Sequence, residues 1–140
     1  MAKSGISVTV KKLIDESNNV LKEVDKQNRR NLYKVGSETR KTAKKSIRKR
    51  RKPSQPGSPP RSVTGLLRKT IFFWVDKSKS VITGPIHLNG SSTNVPHALE
   101  HGGNTTSKRY KRPINIRKRP FMVPAHNKTR EDIRSLWKGV

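Results

Sequence analysis

The sequence predicts an α+β fold: a long N-terminal helix and a C-terminal helix packed on a small, mainly antiparallel β-sheet, with extended loops, in one domain spanning residues 1–140. Three observations carry this. Apolar residues recur at three- and four-residue spacing from Val8 to about Ile47, the period of a helix. The densest apolar run, inside Thr64–Pro85, alternates like a strand and then turns back. A shorter helical period closes the chain over residues 124–138. With 29% hydrophobic and 30% charged residues, the chain is one small domain at most and lean for a self-sufficient core.

The first helix is expected over 8–50. Val10, Leu13, Ile14, Ser17, Val20, Leu21, Val24, Asn28, Leu32 and Val35 make one continuous stripe, which Ala43 and Ile47 prolong. Gly36 is its weak point, costing about 1 kcal/mol relative to Ala, and a kink or break is expected there. Unbroken, such a helix spans roughly 60 Å, longer than so small a domain is wide, and this points to a second chain packed against it. Pro53-Ser54-Gln55-Pro56-Gly57-Ser58-Pro59-Pro60 ends the helix and makes 53–63 a Pro-rich connector.

In the hairpin, Ile71, Phe73 and Val75 share one strand face, and Phe72 and Trp74 the other. Both faces are apolar, so this strand is expected inside a sheet covered on at least one side. Asp76–Lys79 is the loop, Val81–Thr83 the return strand, and Gly84-Pro85 its stop, because Pro has no N–H for a ladder. Ile86–Val95 is polar with an Asn89-Gly90 turn signal. Pro96–Gly103 reads as a short helical turn, with Pro at its start and Gly at its end. Lys108–Arg119 is expected to be a long loop or an edge hairpin, and Arg119–Ala125 an extended segment. The last helix has Ile133, Leu136 and Trp137 on its apolar side and carries Glu131 and Asp132 near its middle.

Charge narrows the function class. Lys and Arg number 33 against 9 acids, a formal +24, so a polyanion or an acidic partner surface is expected. The first basic block is Arg40, Lys41, Lys44, Lys45, Arg48, Lys49, Arg50, Arg51 and Lys52. In a continuous helix Lys41, Lys44, Lys45, Arg48, Lys49 and Lys52 share the face opposite Ala43 and Ile47, with no acid at i+4 to offset their repulsion. The second block is Lys108, Arg109, Lys111, Arg112, Arg117, Lys118 and Arg119. Either block is a candidate to contact DNA or an acidic partner.

Chemistry is mostly excluded. With no cysteine there is no disulfide, thiolate metal site or cysteine nucleophile. Neither a signal peptide nor a membrane span is expected. His97-x-x-Glu100-His101 matches the inverted zinc-protease pattern, but Pro96 and Gly102 confine it to about one turn. The expected role is structural, a capped turn with Glu100 orienting backbone. There is no Gly-rich phosphate loop, no carboxylate pair placed for acid–base work and no Ser-His-Asp signature. Catalytic residues, metal ligands and cofactors are therefore predicted to be none, and the protein not to be an enzyme. No zinc finger, RNP-like aromatic pair or helix-turn-helix is present either, which leaves sequence-blind contact with phosphates.

Five motifs in fixed order carry a resemblance. They are Pro56-Gly57-Ser58-Pro59-Pro60; Thr64-Gly65-Leu66-Leu67-Arg68-Lys69-Thr70-Ile71; Ile82-Thr83-Gly84-Pro85; Pro96-His97-Ala98-Leu99-Glu100-His101-Gly102-Gly103; and Arg119-Pro120-Phe121-Met122-Val123-Pro124-Ala125. Behind a long N-terminal helix, this order resembles the small tail-completion or head–tail joining proteins of tailed bacteriophages, related to minor tail protein Z. Thr70 stands where that family usually has serine, and the basic blocks are heavier. The resemblance covers about residues 56–126. It implies a non-catalytic virion component made in the bacterial host cytoplasm. Such a component assembles as a ring, with a hexamer among the arrangements open, in the neck or upper tail around the DNA path. The implied partners are further copies of itself, neighbouring neck, tail-terminator or tail-tube proteins, and genomic DNA. The signature residues Gly65, Leu67, Arg68, Gly84, Pro85, Glu100, Gly102, Arg119, Pro120, Phe121 and Pro124 then take structural or interface roles. Gly65 and Gly84 are expected to allow tight backbone at the hairpin's ends. Arg68, Glu100 and Arg119 are expected to link hairpin, turn and C-terminal segment by charge pairing. The rival reading is a sequence-nonspecific basic nucleic-acid-binding protein of ribosomal or nucleoid type.

Overall fold

The computed structural model describes residues 16–77, 79–86, 94–106 and 112–138. Expectations for residues 8–15, the Asn89-Gly90 turn, and Lys108, Arg109 and Lys111 lie outside the described residues.

The architecture is α+β, as the periodicities predict. Helix α1 (Ser17–Ser46) is the spine, and α4 (Met122–Ser135) packs along it. Between them come β1 (Arg48–Lys49), β2 (Arg61–Ser62), α2 (Leu66–Thr70), β3 (Ile71–Val75), β4 (Val81–Pro85), α3 (Val95–His101), β5 (Gly103–Thr106) and β6 (Pro113–Ile116). In place of one sheet there are, among the described residues, three separate two-stranded ladders. Those of β3–β4 and β5–β6 are antiparallel, and that of β1–β2 is parallel. Of the second basic segment, read as a long loop or an edge hairpin, Pro113–Ile116 forms β6, but its partner β5 comes from Gly103–Thr106, ahead of that segment.

The core sits where α1, β3 and α4 meet. Ala43, Ile47, Ile71, Phe121 and Ala125 are buried together, with Leu67, Leu99 and Met122 against them. The helix pair is also tied by polar groups. Buried Asn31 donates to the Leu136 carbonyl at 2.9 Å, and the Thr39 and Thr129 hydroxyls lie 3.3 Å apart. These bonds let a lean core carry buried polar residues without leaving them unsatisfied.

Gly36 does not break α1, which runs from Ser17 to Ser46. It is the notch that lets the hairpin lie on the helix: a Cβ there would fall 2.8 Å from Phe73 Cγ and 2.9 Å from Val81 Cγ2. Its helix cost is offset by this close approach. The helix does end earlier than expected, at Ser46, with Ile47 extended (ψ 105°) and Arg48–Lys49 in β1. Ser46 Oγ donates to the Ala43 carbonyl at 2.7 Å, and Ile47 turns into the core. A run of cations without acids gains little from one more helical turn. Arg48, Lys49 and Lys52 therefore leave the shared helical face predicted for them.

The Pro-rich connector is ordered by local chemistry. Gln55-Pro56-Gly57-Ser58 is a turn, with Ser58 N–H donating to the Gln55 carbonyl at 3.2 Å and Gly57 at φ +82°. Proline second and left-handed glycine third are the residues such a turn needs. Gly57 N–H then donates to the Lys118 carbonyl at 2.8 Å, and Arg119 Nε to the Ser54 carbonyl at 3.0 Å, so the segment before α4 holds the connector down.

The hairpin differs from expectation in two ways. The strand β4 continues through Gly84-Pro85 instead of stopping there. Hydrogen bonds from Ile86 N–H to the Thr70 carbonyl (2.9 Å) and from Asp76 N–H to the Ser80 carbonyl (2.8 Å) set the ladder's phase. In that phase Pro85, opposite Ile71, faces the outer edge, where a missing N–H costs nothing. Gly84, opposite Phe72, needs no special backbone, whereas Gly65 (φ +75°) does, at the entry to the unpredicted helix α2. Secondly, among the described residues β3 pairs with β4 alone instead of lying inside a larger sheet, while its cover on one side is as expected. Ile71, Phe73 and Val75 turn inward, while Phe72 and Trp74 are exposed.

The predicted charge link among Arg68, Glu100 and Arg119 does not form. Arg68 is exposed, and Arg119 binds carbonyls of Ser54 and Arg117. Glu100 is buried and accepts from the backbone N–H groups of Phe121 (2.8 Å), Met122 (3.0 Å) and Val123 (2.9 Å). It orients backbone, as expected, but that of another element. It caps α4, whose next residue, Pro124, has no N–H, so the first turn's donors are all accounted for. For this reason α4 starts at Met122, inside the stretch read as extended.

Candidate functional site

The first basic block divides among three environments. Arg40 and Lys44 turn toward the hairpin: Arg40 Nε donates to the Ile71 carbonyl at 2.9 Å, its guanidinium lies 5.3 Å from the Phe72 ring centre, and Lys44 Nζ lies 5.6 Å from it. Arg40 thus closes an outward-facing backbone group of β3 while adding a cation–π contact. The Lys44 ammonium is held below its usual 10.5, first by desolvation and then by Arg40 and Arg68. A lowered lysine pKa means that the charged form is disfavoured in the fold. That penalty is present at neutral pH and fades as pH rises through the lowered pKa toward 10.5.

Lys41 pairs with Glu38 at 2.8 Å on an exposed face, a contact of small energetic worth. Lys45, Arg48 and Lys52 line an open cavity together with Arg61, which the parallel ladder sets beside Arg48. Lys49, Arg50 and Arg51 are exposed and do not line it. Of the second block, Arg112, Arg117 and Lys118 are exposed, with the Lys118 carbonyl engaged by Gly57. The sequence marked the basic residues, but it did not show that Arg61, thirteen positions beyond Arg48, joins the first block. A cation just after a Pro-rich loop was the only available signal.

A second surface is apolar. Trp74 is 71% exposed, Ile82 opposite it 65%, and Phe72 43%, all on the outward face of the β3–β4 ladder. The outer edge of β4 has no strand partner among the described residues. It borders an apolar groove of about 450 Å³ formed with α1 and α4 through Val35, Met122 and Val123. On α1, Val20 and Leu21 of the predicted stripe are also exposed. Exposed apolar area of this kind marks contact surfaces more often than free ones.

His97 and His101 are exposed, with ring centres 4.7 Å apart, and the Glu100 carboxylate is turned away to α4. Among the described residues no group of three metal-ligating side chains gathers, and no helix is long and apolar enough to cross a membrane. Comparison with protein-family models, with curated proteins and with solved structures finds no match.

Proposed function

We propose that this chain is a structural, non-enzymatic virion protein of a tailed bacteriophage, a tail-completion or neck subunit that joins tail to head as an oligomeric ring around the DNA path. The observation that carries the reading is the uncovered hairpin face. The ladder packs on α1 by one face and leaves Trp74, Ile82 and Phe72 exposed on the other, an apolar area of the kind that marks a contact surface. A neighbouring copy covering that face would bury it. The five ordered motifs agree, and their buried members have packing roles here: Phe121 in the core, Glu100 on α4.

Gold-labelled antibody against the protein, applied to intact and disrupted particles from the strain that carries its coding sequence, tests the reading. Label at the head–tail junction is the expected result. Absence from both preparations, with the protein recovered on cellular nucleic acid, would overturn it in favour of the ribosomal or nucleoid type. On the protein itself, Trp74→Ser with Ile82→Thr is expected to abolish self-association, measured by sedimentation at the concentration where the unaltered chain assembles. Folding should persist, since both side chains point to solvent.

The basic rim supports contact with DNA or an acidic neighbour. Replacing Lys44, Lys45, Arg48 and Lys49 with Gln should weaken DNA binding and flatten the slope of log affinity against log salt, which is about −0.9 per phosphate contacted. An unchanged slope would remove this surface from the DNA path.

A further inference from the structure

The cavity beside the end of α1 has the features of a built oxyanion site. It measures about 700 Å³ and lies between the last turn of α1, the β1–β2 ladder and the Pro-rich connector. Lys45, Arg48, Lys52 and Arg61 line it, as do Ser54 and Ser58. The parallel register sets Arg48 beside Arg61, a like-charge pair that disfavours the ladder unless an anion lies between or near them.

A second, independent observation points to a ligand. Ser54 is 6% exposed, and its Oγ is a buried side-chain polar atom with no hydrogen-bond partner among the described residues. Buried hydroxyls are nearly always satisfied. Ser54 is not loosely placed, because its carbonyl accepts from Arg119 Nε at 3.0 Å and the turn after it is pinned to Lys118. Ser54, with its unpartnered hydroxyl, thus lines a cavity with four cations, and none of the described residues lining it is acidic.

We propose that this cavity binds a phosphate group, with Ser54 Oγ donating to one oxygen and Arg48 and Arg61 engaging the others. A tetrahedral dianion suits this set better than a carboxylate does, since it offers more acceptor oxygens to converging donors and its charge matches several cations. The nearby C-terminus of α1 opposes an anion, but only by a fraction of an elementary charge. The four cations outweigh it. The phosphate can come from two sources, a free phosphate monoester or inorganic phosphate, or the backbone of a nucleic acid. The inference does not rest on the virion reading, since a phosphate site can exist in a chain that never joins a particle.

Calorimetric titration of the full chain with inorganic phosphate, and separately with a short single-stranded oligonucleotide, tests it. The variants are Ser54→Ala, Arg61→Gln, and Lys128→Gln on exposed α4 as a charge-matched control. Each is first checked for an unchanged melting curve. Ser54→Ala leaves net charge untouched, so it separates a built site from diffuse attraction. Saturable phosphate binding weakened about tenfold by Ser54→Ala and Arg61→Gln, but not by Lys128→Gln, supports the site for free phosphate. The same pattern with the oligonucleotide alone supports it for backbone phosphate. Binding of both ligands that is absent, or equal in Ser54→Ala and the unaltered chain, overturns the proposal.

Discussion

Glu100→Ala is expected to lower stability by about 3 kcal/mol, a large part of the roughly 5–15 kcal/mol available to a small domain. The carboxylate accepts from three successive backbone N–H groups, those of Phe121, Met122 and Val123, and α4 has no other acceptor placed there. Phe121 N–H is buried with its residue at 1% exposure, so water cannot replace that bond, whereas Val123 is exposed and can recover part of its own. A buried donor left unmade costs about 1–3 kcal/mol, and loss of a negative charge at a helix N-terminus adds to it. In a thermal melt followed by circular dichroism, the midpoint should fall by roughly 10 °C. Glu100→Gln keeps a carbonyl oxygen and should fall in between. A midpoint within about 2 °C of the unaltered chain for Glu100→Ala would mean that α4 does not depend on this cap.

Gly36→Ala carries an expectation opposite to its helix propensity. In an exposed helix interior the change stabilises by about 1 kcal/mol. Here the new methyl would meet the Phe73 ring and Val81, both held between α1 and the ladder. The ring is not free to withdraw, because it also packs edge-on against Tyr33 with centres 6.0 Å apart. Overpacking of this kind costs about 1–3 kcal/mol, so net destabilisation is expected in urea unfolding, and more for Gly36→Val. Phe73→Leu in the same chain should recover part of the loss. A positive stability change for Gly36→Ala alone would show that the hairpin can lift from the helix without cost.

These two positions show how differently the chain could be read. The pattern of Pro96, Glu100 and Gly102 announced a short capped helix, because capping acts over neighbouring residues. That Glu100 caps a helix starting twenty-two residues later was not legible, since no local rule links a carboxylate to distant backbone. Gly36 was read as a weak link because propensity describes an isolated helix. The notch it makes depends on a hairpin that arrives from residues 71–85. The end of α1 was likewise misplaced by a few residues. Periodicity continued through Ile47, but β1 and the cation run ended the helix.

Of the candidate surfaces, the cations themselves were plain from composition, and their crowding near Lys44–Lys52 from position alone. Their division among Phe72, Glu38 and a shared cavity was not, nor was the place of Arg61 and Ser54 within that cavity. By itself the sequence determined the α+β class, the two long helical periods, the hairpin and the basic character, because periodicity, turn residues and charge are local or additive properties. Only the tertiary structure decided which face of β3 is left bare, which helix Glu100 serves and which cations converge, because each depends on segments distant in the chain meeting at a particular register.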